Sequence, residues 1–254
     1  MSKKREDIII LIAVMIVLIG VVAFLVYTDY NSPTKRVERD VKAYLAQHYP
    51  DSDYEISSIS FDDKYKNYIV SISSPSSADS WFTMTYDDDG TFMANSYEDQ
   101  VVKKTNTAIR LSDEYAAAVK EALSAIPNCT VSAQAGRLLW SHPDDSHPDP
   151  RYIVSEELQL DGAYDLAVLG KQAGDIWLRV EVDYANGATV ENLAQILLYV
   201  RKVLDEANLP FYQIRCRLNY RSGGNSKELV LDDFLYDDIY EEGLEERLLK
   251  ALKH

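Results

Sequence analysis

The sequence predicts an α+β protein: an N-terminal transmembrane helix followed by two small domains, each of helices packed on a mainly antiparallel sheet. Three observations carry this reading. Residues 8–27 form a run of twenty without a charge. Short stretches with apolar side chains at every second position recur in both halves of the remaining chain. Each set of such stretches is preceded by an amphipathic segment with apolar spacings of three and four. At 254 residues the chain is long enough for about two domains. An apolar content of 46% excludes wholesale disorder.

The apolar run comes first. At about 1.5 Å per residue, a helix of that length crosses the roughly 30 Å hydrocarbon core. It is longer than the apolar region of a cleaved signal peptide and no Ala-x-Ala follows it, so an uncleaved signal anchor is expected. Lys3, Lys4 and Arg5 precede it, while Lys35, Arg36 and Arg39 follow it. The leading bases resemble the start of a signal anchor. They place residues 1–7 in the cytoplasm and the later domains outside it, as a single-pass protein of the cell envelope. Residues 28–33 read as a linker, 34–106 as the first domain and 110–254 as the second.

In the first domain, Val37, Val41, Tyr44, Leu45 and His48 share a helical face, and Pro50 ends that helix. Residues 54–61, 68–73 and 81–86 read as strands. Asp87, Asp88, Asp89 and Gly90 make a hairpin turn into 91–96, because Asp-Gly tolerates positive φ. In the second domain, Ser112 is the expected N-cap of a helix with Leu111, Tyr115, Val119, Ala122, Leu123 and Ile126 on its apolar side. Residues 129–135 alternate and put Cys129, Val131, Ala133 and Ala135 on one face. Residues 152–160 and 163–169 read as weaker strands, and 141–150 as a loop rich in Pro and Asp.

Ile176, Leu178, Val180, Val182 and Tyr184 face one way on a strong strand; Trp177, Arg179, Glu181 and Asp183 face the other. Thr189 caps a helix reaching Ala207. Tyr212, Ile214, Cys216, Leu218 and Tyr220 then alternate with Gln213, Arg215, Arg217 and Asn219, which implies one wet face and an antiparallel context. Residues 222–225 form a turn, 227–234 a strand and 241–253 a closing helix.

The charged start, the single apolar run, residues 41–90 (VKAYLAQHYPDSDYEISSISFDDKYKNYIVSISSPSSADSWFTMTYDDDG) and residues 106–123 (NTAIRLSDEYAAAVKEAL) together resemble the YfjL-like family. The resemblance implies single-pass membrane proteins of Gram-positive bacteria with a two-module α+β build at the envelope. It offers no catalytic residues to carry over. A looser likeness of architecture links each helix-on-sheet module to cystatin-like and PepSY-like folds.

Acids outnumber bases 41 to 26, for a net charge of −15, so no nucleic-acid partner is expected. The second domain alone holds 15 bases and 25 acids, net −10. The membrane is expected as a partner only through the N-terminal helix, because anionic lipid repels domains of this charge. An envelope protein is the other partner considered.

Candidate chemistry is sparse. His142, Asp144, Asp145 and His147 could ligate a divalent ion, but their prolines mark an exposed loop. Three consecutive Asp at 87–89 point in different directions and do not make a calcium loop. Asp232, Asp233, Asp237, Asp238, Glu241 and Glu242 cluster around Tyr236 and Tyr240 and could attract a cation. No nucleophile elbow, zincin motif or phosphate loop occurs. No catalytic, metal or cofactor residue is therefore assigned. Eighteen tyrosines could form a platform for sugars or peptides, though several, such as Tyr184, Tyr212 and Tyr220, fall at expected core positions. Cys129 and Cys216 are expected as buried thiols of the second core, with a disulfide as the alternative. The expected function is a non-catalytic binding or assembly module of the envelope. The alternatives are an enzyme using acids of the second domain, or the sensing part of a signalling complex.

Overall fold

In the computed structural model, which describes residues 14–24, 27, 32–127, 129–141, 151–182, 187–222 and 225–252, the chain divides into one unit ending at Gln100 and another beginning at Val101. The structure does not bear out the expected transmembrane helix. Among the described residues, no helix is long and apolar enough to cross a membrane. Residues 14–24 are helical and exposed. Residues 8–13, 25 and 26 lie outside the described set. The membrane anchor, and with it the signal-anchor and cell-membrane assignments, is not supported.

In the first unit, Ser32 caps α1 (Pro33–His48) by accepting from the Lys35 backbone N–H. Pro33 occupies the first turn, where an N–H would have no partner. Val37, Val41 and Leu45 form its buried stripe. The helix accompanies an antiparallel sheet of β1 (Glu55–Asp62), β2 (Asn67–Ser74), β3 (Ser77–Asp87) and β4 (Phe92–Asn95), paired in chain order. Val70, Ile72, Phe82, Met84 and Tyr86 are its buried face. The turn after β3 forms as the sequence suggests: Gly90 has φ 77°, and the Asp87 carboxylate accepts from the Thr91 N–H at 2.7 Å. Tyr49, Tyr54, Phe82 and Tyr97 pack together at ring-centroid distances of 4.5–6.2 Å, many of them edge to face.

The second unit runs α2 (Thr105–Ala122), β5 (Thr130–Leu138), β6 (Trp140–Ser141), β7 (Ile153–Val154), α3 (Leu166–Ala173), β8 (Gly174–Val182), α4 (Val190–Glu206), β9 (Gln213–Ser222), β10 (Asn225–Leu235) and α5 (Leu244–Ala251). Its main sheet has the order β10-β9-β8-β5. β5 and β8 pair antiparallel, as do β9 and β10, but β8 and β9 are parallel. The antiparallel context expected for β9 therefore holds on one side only. The connection through α4 is long enough to return the chain in the same direction. Thr189 caps α4 by accepting from the Asn192 N–H. Ile176, Leu178, Val180, Ile214, Cys216, Leu218 and Leu231 are buried on one face with Leu193, Leu197 and Val200 of α4. Against β5, Val119 of α2 comes so close that a Cβ on Gly136 would lie 2.9 Å from the Val119 Cβ.

Several expected elements differ. Helix α2 begins at Thr105, with Ser112 inside it. The Ser112 hydroxyl instead accepts from the Leu138 N–H at 3.1 Å, tying helix to strand. A bulge between Val131 and Ala133 breaks the alternation of β5, so Gly136 and Leu138 are buried while Ala135 is exposed. Residues 152–160 give a two-residue strand and a 3-10 turn. Residues expected as a strand at 163–169 enter α3, because the Asp165 carboxylate accepts from the Ala167 N–H and starts a helix. The last helix starts at Leu244, after Gly243 takes φ 67°.

Candidate functional site

The sheet of the second unit brings three polar residues into one row. Asp175 on β8 lies opposite Arg137 on β5 and opposite Gln213 on β9, and Leu235 on β10 lies opposite Gln213. Arg215 follows two residues after Gln213, hence on the same face. Asp175 is 1% exposed. Its Oδ2 accepts from Arg137 Nε at 2.8 Å and from Arg215 Nη2 at 2.5 Å, and its Oδ1 accepts from Gln213 Nε2 at 3.1 Å. A buried carboxylate is costly unless paired and hydrogen-bonded, and three donors meet that need here.

Around this row lies a cleft of about 270 Å³, walled by Arg137, Arg151, Tyr152, Gln213, Arg215 and Asp233. A bulge between Leu231 and Phe234 puts Asp233 at φ 50°, with its carboxylate 3.4 Å from Gln213 Nε2. Arg151 donates from Nη1 to the Tyr212 hydroxyl at 3.2 Å, and its guanidinium stands 5.1 Å from that ring's centroid. Tyr212, expected in the core, is half-buried and serves this contact. Arg215 Nε is buried with no hydrogen-bond partner among the described residues. Among the described residues, three guanidinium groups thus meet two carboxylates in a chain of net −15. Guanidinium forks match the geometry of carboxylate and phosphate oxygens.

The residues singled out from sequence fall elsewhere. His142, Asp144, Asp145 and His147 lie outside the described residues, as do Tyr184, Gly223 and Gly224. The acidic segment near the C-terminus is held through its backbone. Arg201 donates from Nη1 to the Tyr236 and Ile239 carbonyls, with its guanidinium 4.2 Å from the Tyr236 centroid. Arg247 donates to the carbonyls of Asp238, Tyr240 and Glu242. Cys129 and Cys216 form no disulfide with each other: Cys216 is buried, and Cys129 is only half-buried, short of the full burial expected. Burial pushes the Cys216 thiol up to about 12, with Cys129 adding to the effect. Cys129 lines a cavity of about 180 Å³ with Ile126, Asn192 and Tyr199.

Sequence reading placed Arg215 on a wet face but did not single out Arg137, Arg151 or Arg215. The signal available was arginine at strand ends within an acidic chain. What hid the site was its distance in sequence: Arg137 and Arg215 are separated by the whole of α3, β8 and α4.

Fold and site define a two-unit α+β protein whose second unit carries an arginine-lined cleft at the ends of a mixed four-stranded sheet. The chain belongs to the YfjL-like family: residues 5–110 match the YfjL-like N-terminal domain and residues 114–249 the YfjL-like C-terminal domain. No curated protein and no solved structure shows a significant match to the chain.

Proposed function

We propose that the protein is a non-catalytic binding module whose second unit receives a small anionic group, a carboxylate or a phosphate, in the cleft of Arg137, Arg151 and Arg215. The observation that carries this is the convergence of three guanidinium groups on one cleft in a strongly acidic chain. Asp175 supports a binding role over a catalytic one. Both its oxygens already accept from Arg137, Arg215 and Gln213, so it orients the arginines rather than standing free to move a proton. Arg137 is 57% exposed on its side chain and reaches solvent while its Nε stays on Asp175.

Calorimetric titration of the full chain with inorganic phosphate and, separately, with citrate tests the reading and separates the two anion classes. Saturable binding of one of them, lost in Arg151→Gln, is expected. Heats no larger than dilution for both anions, or unchanged binding in Arg151→Gln, would reject it.

A further inference from the structure

We infer that the outer face of β8 and β9 is a docking surface for an extended acidic polypeptide segment. Trp177 pairs with Arg215, and Arg179 pairs directly with Arg217. Like charges opposite each other across two strands repel. Among the described residues, neither Arg179 nor Arg217 takes part in an ion pair. The Arg179 guanidinium lies 5.7 Å from the Trp177 ring centroid, and its Nε is buried without a hydrogen-bond partner. Both arginines are half-buried, so water screens them less than it screens a surface lysine. The fold thus keeps two opposed, unneutralised guanidinium groups beside an indole on the face turned away from its core.

Neighbouring positions set the limits of this surface. On the same face, Asp175 stands at one end of β8 and is already occupied by Arg137, Arg215 and Gln213. Glu181 stands at the other end and is exposed. Glu228 of β10, opposite Asn219, is exposed too. The uncompensated charge is therefore the middle pair. Along β9, Arg215 and Arg217 are two residues apart, roughly 6.6–6.8 Å at strand rise. An extended peptide with a carboxylate at every second residue repeats at the same distance, so one carboxylate can meet Arg217 while the next shares Arg215 with Asp175. Bidentate guanidinium–carboxylate contacts reward that match, and Trp177 gives apolar area to the stem of a Glu side chain.

This proposal extends the anionic preference of the cleft and shares Arg215 with it, but its uncompensated charges, Arg179 and Arg217, do not line the cleft, so the two can fail separately. The probe is a fluorescein-labelled peptide of six Glu-Ser repeats, followed by anisotropy on the full chain. The controls are the matching Gln-Ser peptide and a twelve-nucleotide thymidine strand. Saturable binding of the Glu-Ser peptide alone is expected. The double variant Arg179→Gln with Arg217→Gln should weaken it about tenfold, while Arg151→Gln leaves it within twofold. Removing the opposed charges should also hold or raise the melting temperature of the free protein. Failure of the wild-type chain to bind the peptide overturns the proposal. So does tighter binding of the thymidine strand, loss in Arg151→Gln but not in the double variant, or a double variant that is less stable or unfolded. The last result would show that the arginine pair is already compensated within the fold.

Discussion

Asp175 is the residue on which the second unit's polar chemistry turns. It holds Arg137, Arg215 and Gln213 by one buried carboxylate. Asp175→Asn keeps the shape but removes the charge and exchanges an acceptor for a donor that faces other donors. Because the side chains of Arg137 and Arg215 are 57% and 32% exposed, water recovers part of the loss. We expect destabilisation of about 2 kcal/mol, read by urea unfolding, together with loss of anion binding. A change under about 0.5 kcal/mol, the usual scale for surface sites, would show that the carboxylate does not organise the row. Cys216 gives a pH prediction with a definite sign. Burial holds its thiol at about 12, against 9.0 for the ordinary group. The folded state keeps a proton that the unfolded chain gives up, so this contribution is complete below pH 9 and is lost as pH rises towards 12. Stability should fall less steeply above pH 9 in Cys216→Ala than in the parent; equal slopes would contradict the burial. Native thiol labelling should modify Cys129 well before Cys216.

At the scale of elements, close packing of α2 on β5 depends on Gly136. An added Cβ meets the branched Val119 side chain, with contacts of 2.9 to 3.1 Å, and the helix or strand must shift. Gly136→Ala should cost about 1–3 kcal/mol. Pairing it with Val119→Ala should recover part of that loss, and thermal unfolding of the four variants checks the coupling. An additive result would mean that helix and strand do not touch there. The same region shows why some elements were legible in sequence and others were not. β8 and β9 announced themselves because Ile176, Leu178, Val180 and Ile214, Cys216, Leu218 alternate without interruption. α4 did so because Thr189 caps it and its apolar stripe is long. β5 misled because a bulge after Val131 moves every later side chain to the opposite face, and no local residue signals the slip. α2 misled because its cap at Lys104 is a left-handed residue with no side-chain hydrogen bond, whereas Ser112 looks like a cap and is instead the partner of Leu138.

Over the whole molecule, the sequence and the structure agree on two sheet-based α+β units and part company at the N-terminus. An apolar run was the strongest signal in the chain, yet no described helix has the length and apolarity to cross a membrane. The overall acidity was equally plain, with acids outnumbering bases 41 to 26. Against that excess of acid the convergence of the cleft arginines is informative: pairing of β5, β8 and β9 brings Arg137 and Arg215 together, and Arg151 joins them from the segment before β7. No spacing rule within one segment could have joined them. The claim that this convergence is an anion site is most directly tested by NMR. The arginine Nε–Hε signals of the full chain are to be followed during titration with inorganic phosphate and with citrate. The account predicts that the signals of Arg137, Arg151 and Arg215 move together and saturate with one of these anions, while those of Arg201 and Arg247, held on backbone carbonyls, stay in place. Uniform small drifts of all arginine signals, or movement of Arg201 and Arg247 without the cleft residues, would contradict it.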